Sequence, residues 1–353
     1  MRAAVFTGHG EPLEIRSIDA PTPEPTGVVV QTEACGICRS DWHAWQGDPA
    51  WAERGLTEGH VLGHEPAGTV VAVGEEVETV REGDHVAVPF NLGDGTCHQC
   101  RTGHANLCDD RIALGLEPGA PGAFAEQVHV PRADANVVAL PDGVSSVEMA
   151  GLGCRFMTAF HGLVHRADVD GGDWVAVHGC GGVGLSAVHV ADALGARVVA
   201  VDLFEEKLDF ARRLGADETV DADDTDDVPA AVRALTDGGA HVAVDALGVE
   251  ATCRNAIDCL RKRGQHVQIG LTTAAEGGEI PLPTDDIVGK EIDLVGAIGM
   301  QPARYDEILR FVQDDAVDPG AVVSEHVTLD DTPATLAAMT DYETFGIPVI
   351  TEF

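Results

Sequence analysis

Between residues 156 and 298 short apolar runs alternate with helical patterns in a fixed order. "WVAVHGCGGVGLSAVHVADALGA" sets a β-branched run before a helical stretch, "RVVAVDLFEEKLDFARRLGA" repeats the arrangement, and "HVAVDALGVEATCRNAIDCLRKRG" with "QHVQIGL" repeats it again. This alternation predicts an α/β domain, a doubly wound parallel sheet with helices on both faces. From residue 1 to about 155 the texture differs. "GVVVQTEACGIC", "AGTVVAVGEEV" and "GDHVAVPF" are β-branched runs closed by Gly, Asp or Pro, which predict a mainly β domain. Residues 299–353 hold one amphipathic helix, "ARYDEILRFVQDD", and a final strand, "GIPVITEF", expected to fold back on the first part. The expected domains are therefore 1–155 with 299–353, and 156–298.

Within the alternating region, "GCGGVG" places Gly179, Gly181 and Gly184 in G-x-G-x-x-G spacing, after the strand "DWVAVH" and at the start of a helix. In that context the first two glycines permit a tight turn and close approach of a pyrophosphate to backbone N–H groups, and the third permits helix–strand packing. The motif is expected in that context to be the coenzyme turn of a Rossmann domain. Asp202 ends the next strand, where its carboxylate is placed to accept ribose hydroxyls and to repel a 2′-phosphate. Leu203, Phe204, Glu205 and Glu206 follow it and supply no arginine, which favours NAD over NADP. Lys207 joins the coenzyme-binding candidates. A structural strand–helix turn without a nucleotide is the competing reading.

Composition narrows the picture. A chain of 353 residues suits two domains, and 44% hydrophobic content is that of a globular protein. It has 59 Asp and Glu against 22 Lys and Arg, a net charge of −37, with only three lysines, Lys207, Lys262 and Lys290. Such a surface repels phosphate backbones and argues against nucleic acid. The acid is spread over a chain that keeps its periodicity, unlike disordered acidic segments. "DADDTDD" and similar patches read as solvated surface whose self-repulsion molar salt screens within about 3 Å. The expectation is a protein of a salt-filled cytoplasm. No apolar run of about eighteen residues and no secretory start occur, so no membrane association is expected. Nine cysteines, an odd number, fit metal binding or burial better than disulfides.

The candidate chemistry lies in the β-rich part. "ACGICRSDWH" offers Cys35 and Cys38, "GHEPAG" offers His64 and Glu65, and "DGTCHQCRTGHANLC" offers Cys97, Cys100 and Cys108. Each alone has a plain reading: a buried thiol, a surface His–Glu pair, a redox C-x-x-C. Taken in order, "GICRSDWH", "GHEPAG", "CHQCRTGHANLC", "GCRFMTAF" and "GCGGVGLSAV" closely resemble the zinc-dependent medium-chain alcohol dehydrogenases, over essentially the whole chain.

That resemblance implies a GroES-like fold for the β-rich domain and a catalytic zinc held by Cys38, His64 and Cys154, with a fourth position open. It implies that Glu65 can approach the zinc as ligands exchange and that Asp41 orients the zinc histidine. Zinc would act as a Lewis acid on a bound alcohol, with hydride passing to the nicotinamide. Ser40 and His43 match a proton relay that runs through the coenzyme ribose to a histidine at the surface. Arg39 matches a pyrophosphate contact, Thr158 and Val183 match residues packing on the nicotinamide, and Ile269 and Leu271 match backbone contacts to its carboxamide. Phe90 matches a wall of the substrate pocket, or is plain core. Cys154, where polyol relatives often carry a carboxylate, tilts the substrate toward simple alcohols and carbonyl compounds. The lobe at about 91–111 matches a structural zinc site whose first ligand falls on Asp94, completing Cys97, Cys100 and Cys108; His98 and His104 compete, and an empty lobe is the alternative. Cys35, Cys180, Cys253 and Cys259 are assigned to packing, the last two on one helix. A homodimer or homotetramer is expected. The rivals are a sugar, polyol or amino-alcohol dehydrogenase of the same superfamily, and a non-catalytic sensor that binds nucleotide and metal.

Overall fold

The computed structural model describes residues 1–48, 51, 53–341 and 344–353. The chain divides into two compact units, Met1–Cys154 with Gly299–Phe353, and Arg155–Ile298.

The second unit is built on six parallel strands. Their spatial order is Glu218–Asp221, Arg197–Asp202, Trp174–His178, Ala240–Asp245, Leu260–Gln268 and Asp293–Gly296. Numbered along the chain this is 3-2-1-4-5-6, the order of a Rossmann sheet. The central strands are continuous Val and Ala runs because both faces are covered: Val175, Ala176, Val177, Val198, Val199 and Ala200 are all fully buried. Helix Gly182–Ala193 follows the first strand and helix Glu205–Arg213 the second.

One segment departs from the pattern read in the sequence. "LRKRG" continues the helical periodicity of the preceding stretch, yet the helix Glu250–Asp258 ends before it, and Cys259 is its C-cap. The next strand starts at Leu260. Ala240 pairs with Leu260 and Val242 with Gln265, so the residues between are absorbed as an irregularity of the ladder. Arg261, Lys262 and Arg263 are exposed there, and Arg263 takes φ 61°, a left-handed conformation no helix continues. Local propensity favoured a helix, while pairing with the apolar strand Ala240–Asp245 decided otherwise.

In the first unit a seven-stranded sheet runs Val323–Thr328, Ile347–Glu352, Val28–Gly36, Glu65–Val73, His85–Ala87 and Val138–Ala139, with Gln127–Val130 also paired to Val28–Gly36. The terminal strand Ile347–Glu352 lies antiparallel to Val28–Gly36, which joins the C-terminal segment to the first sheet. Val28, Val30, Val70, Val86, Val128 and Val130 face a common core with Phe6, Leu62 and Phe124. A two-stranded ladder, Asn91–Leu92 with Ile112–Ala113, closes the base of the cysteine-rich lobe. Gly36 pairs with Glu65 and Cys35 with Pro66, so the chain before Cys38 and the chain at His64 meet at one end of the sheet.

Candidate active site

At that end the strand Val28–Gly36 gives way to the helix Arg39–Gln46, with Cys38 as its N-cap. Asp41, on the first turn, is fully buried. Its Oδ2 accepts the Cys38 N–H at 3.0 Å, and its Oδ1 accepts the Gly63 N–H at 3.0 Å and lies 2.8 Å from His64 Nδ1. A carboxylate can only accept, so His64 carries a proton on Nδ1, and Nε2 is the ring nitrogen left to face a ligand. That Nε2 is buried and has no hydrogen-bond partner. Around it stand ligand atoms of Cys38, Glu65 and Cys154, all four within 4.8 Å of one another. Burial pulls the His64 imidazole down, but Asp41, with Cys38, holds it well above its ordinary value. A Cβ on Gly153 would lie 2.6 Å from that of Glu65, so only glycine lets Cys154 close on the cluster. The orphaned nitrogen, two thiols and one carboxylate fit a zinc ion. The Phe90 ring meets His64 edge-on at 5.6 Å, so Phe90 packs on the cluster itself.

Ser40 and His43 lie on the same helix, Ser40 partly exposed. His43 corrects an expectation: it is not at the surface of this chain but only 6% exposed. Trp51 stacks on its ring at 5.9 Å and Trp42 meets it edge-on at 5.1 Å. Its Nδ1 lies 2.5 Å from Asp48 Oδ2. Burial, the largest effect, lowers the His43 pKa despite Asp48. Arg39 stacks its guanidinium 4.1 Å over Trp42 and donates to the Met339 carbonyl. Sequence reasoning missed Asp48, although Gly47 before it was available as a helix-stop signal. It also missed Tyr305, fully buried, whose phenol is pushed well up by burial and by the charges of Cys154 and Glu65.

In the second unit the glycine turn stands between strand Trp174–His178 and helix Gly182–Ala193. A Cβ on Gly184 would come within 1.8 Å of the Gly179 carbonyl oxygen, whereas one on Gly181 would meet nothing within 4 Å. The turn is thus closed against its own strand and open on its outer side, which fits a pyrophosphate. Asp202 Oδ2 accepts the Cys180 N–H at 2.6 Å, and Oδ1 accepts that of Phe204 at 3.1 Å. Lys207 is buried, with Nζ 4.8 Å over the Phe204 ring. Val183 is partly exposed on the first turn of the helix, and Thr158 is buried on helix Cys154–Phe160. Ile269 and Gly270 both donate their N–H to the Asp245 carbonyl, and Leu271 beyond them is 48% exposed.

The lobe brings together Asp94, Cys97, Cys100 and Cys108, ligand atoms within 4.8 Å of one another; His98 and His104 are not in the group. Cys97 and Cys108 sulfurs are 3.7 Å apart. Asp94 Oδ1 accepts the N–H groups of Thr96 and Cys97, at 2.8 and 2.9 Å. Those donors, Cys97 first, hold its carboxyl well below the usual range. Burial and the neighbouring sulfurs push Cys100 up to about 12. Three sulfurs and a carboxylate at this spacing cannot all ionise without a cation among them, so the donor set fits zinc. Cys35, Cys180, Cys253 and Cys259 are buried and form no disulfide.

The chain matches the family model described as zinc-binding dehydrogenase over residues 182–314, and that described as alcohol dehydrogenase GroES-like domain over residues 24–142. It is 35% identical to alcohol dehydrogenase 2 of Caenorhabditis elegans over 341 residues, 96% of this chain and 93% of that one. It is 34% identical to an NAD-dependent alcohol dehydrogenase of Sulfurisphaera tokodaii over 317 residues, 86% and 90% of the two chains. The solved structure of alcohol dehydrogenase TADH from Thermus sp. ATN1 superimposes with a TM-score of 0.91 at 30% identity, covering all of both chains. Fold and motifs are those of a dehydrogenase with a Rossmann-like unit and a GroES-like unit. The chain belongs to the zinc-binding medium-chain alcohol dehydrogenase family, and it is an enzyme. Among the described residues no helix is long and apolar enough to cross a membrane.

Proposed function

We propose that this chain interconverts a simple primary or secondary alcohol and its aldehyde or ketone, with NAD as the hydride carrier, in the salt-rich cytoplasm of a halophile. The observation that carries the reading is the buried, unpartnered Nε2 of His64 among Cys38, Cys154 and Glu65. Residues 1–155 with 299–353 form the catalytic domain and 156–298 the coenzyme domain. Cys38, His64 and Cys154 hold a zinc ion that supplies Lewis acidity toward a hydroxyl or carbonyl oxygen. Glu65 stands ready as a further ligand when one leaves, and Asp41 fixes the His64 tautomer. The Ser40 hydroxyl takes up the proton an alcohol loses, and His43 moves it onward. Gly179, Gly181 and Gly184 admit the pyrophosphate, with Arg39 as its cation, and Asp202 and Lys207 bind the adenosine ribose. Thr158, Val183 and the backbone of Ile269 and Leu271 hold the nicotinamide. Asp94, Cys97, Cys100 and Cys108 hold a structural zinc, and the enzyme works as a homodimer or homotetramer.

The test is alcohol-dependent NADH formation in molar salt across a panel of simple alcohols, polyols and amino alcohols, with metal content measured beside it. Simple alcohols should lead, and Cys38→Ser should lose one zinc and its turnover together. Turnover persisting in metal-depleted Cys38→Ser overturns the zinc reading, and absence of turnover with every alcohol leaves a nucleotide-binding sensor. Asp202→Gly should weaken or reverse the NAD preference. A wild type more efficient with NADP refutes that assignment.

A further inference from the structure

His43 is held by a residue that neither the motifs nor the zinc cluster includes. Helix Arg39–Gln46 stops at Gly47, whose φ of 77° is left-handed, and a Cβ there would lie 2.7 Å from the His9 ring. Glycine is therefore required on two counts. The reversal turns the chain back under the helix: the N–H groups of Gly47 and Asp48 both donate to the His43 carbonyl, at 3.0 and 3.2 Å, and the Trp51 N–H donates to the Asp48 carbonyl at 2.7 Å. The same turn sets Asp48 Oδ2 2.5 Å from His43 Nδ1, with the two side chains 12% and 8% exposed. It also lays Trp51 parallel to the imidazole, interplanar angle 8°.

We infer that Asp48 is a positioning residue of the proton path, holding His43 with its proton on Nδ1 so that Nε2 is the nitrogen that accepts. This rests on the reading of Ser40 and His43 as the relay. A neutral imidazole has one proton, and an ionised carboxylate 2.5 Å from Nδ1 fixes where it sits. When Nε2 takes up a proton, its lone pair forms the new N–H bond and the ring becomes imidazolium, still donating from Nδ1 to Asp48, which stays ionised. The Nε2 proton then leaves to water and the neutral tautomer is restored. Asp48 opposes burial and the Arg39 guanidinium, and Cys38 acts in the same direction as Asp48. The Arg54 guanidinium lies on Trp51, 4.3 Å from its centroid, and His9 packs on Gly47.

The experiment is the pH profile of kcat/KM for alcohol oxidation by the zinc-loaded enzyme in molar salt, for wild type, Asp48→Asn, Asp48→Glu, His43→Gln and the double variant Asp48→Asn with His43→Gln. Removing the carboxylate should move the acid limb to lower pH by about one unit and lower the plateau about tenfold. Asp48→Glu should restore part of both, and Asp48→Asn should change nothing further once His43 is glutamine. An acid limb that stays in place while only the melting temperature falls overturns the inference. The tautomer of His43, read by nitrogen NMR of histidine-labelled enzyme, separates the two ideas: Nδ1–H in wild type and its loss in Asp48→Asn support the pairing, and an Nε2–H tautomer in wild type refutes it. If His43→Gln leaves both limb and plateau untouched, the relay reading fails, whatever the tautomer.

Discussion

Asp41 concentrates three hydrogen bonds on one fully buried carboxylate, to Cys38, Gly63 and His64. It thereby fixes both ends of the metal cluster. Asp41→Asn replaces one acceptor with a donor and removes the charge, so the enzyme should lose its zinc to a chelator about 10–100 times more readily. Competition with a chromophoric chelator reads this directly, and unchanged zinc retention contradicts it. Asp94 poses the opposite case, since its oxygens are already engaged by the turn they cap. If it also serves as fourth ligand, Asp94→Cys keeps two zinc ions per chain, while Asp94→Ala falls toward one after mild chelation with turnover little changed. One zinc per chain in the zinc-replete wild type shows the lobe to be empty. Spacing singled out the three lobe cysteines, Cys97, Cys100 and Cys108, because ligands in one short segment leave a mark in the sequence, whereas Cys38 and Cys154, far apart in the chain, stood out as ligands only through the family resemblance. Asp48 and Tyr305 were not legible, because a turn and a distant helix bring them in.

Elements were legible where burial fixes the pattern, as in "VVAV" between two covered faces, and illegible where pairing overrides propensity, as in "LRKRG". The glycine turn shows the first kind. Because a Gly184 Cβ would lie 1.8 Å from the Gly179 oxygen, Gly184→Ala must push the helix off its strand. It should cost about 1–3 kcal/mol and abolish NAD binding, seen as lower thermal stability and no fluorescence enhancement of NADH. Wild-type NADH affinity in that variant counts against the turn as the pyrophosphate site. Strand Trp174–His178 ends in a residue with a pH signature. His178 is 1% exposed, its Nε2 lies 3.5 Å from Cys259 Sγ and its Nδ1 has no hydrogen-bond partner. Burial, then the charge of His266, lowers its pKa to about 3. The unfolded chain therefore binds this proton first, so the stabilisation is complete above the unfolded value near 6.5 and is lost as pH falls from there toward 3. From pH ~7 to pH ~5.5 the loss from this residue is about 1 kcal/mol, and it changes little with the folded value so long as that lies well below 5.5. His178→Gln should flatten the fall in melting temperature over that interval; an unchanged slope refutes the account.

At the scale of the whole molecule, charge dominates. The net −37 was readable from composition, but not where it is offset. Arg2 pairs with Asp330, Arg16 with Glu14 and Glu58, and Arg212 with Glu205 and Asp209, all on exposed side chains, where each pair contributes about 0–1 kcal/mol. Such pairs cannot offset an excess of this size. Asp223, Asp224 and Asp226 show the remainder: they are exposed on one short stretch, with no cation within ion-pair distance among the described residues. At ~0.1 M salt each feels its neighbours across about 10 Å, and at ~1 M across about 3 Å, so added salt removes most of the repulsion in the folded chain. Melting temperature and turnover should both rise steeply between ~0.1 M and ~2 M salt, and sodium and potassium chloride should act alike if screening is the cause. Asp227 caps helix Val228–Leu235 through the Ala230 N–H and is left in place. Replacing Asp223, Asp224 and Asp226 together with asparagine should then shift the half-stabilising salt concentration downward without changing the melting temperature at saturating salt. A triple variant with an unshifted salt midpoint shows that repulsion in this patch is not what salt relieves, and full stability of the wild type at ~0.05 M removes the salt requirement altogether.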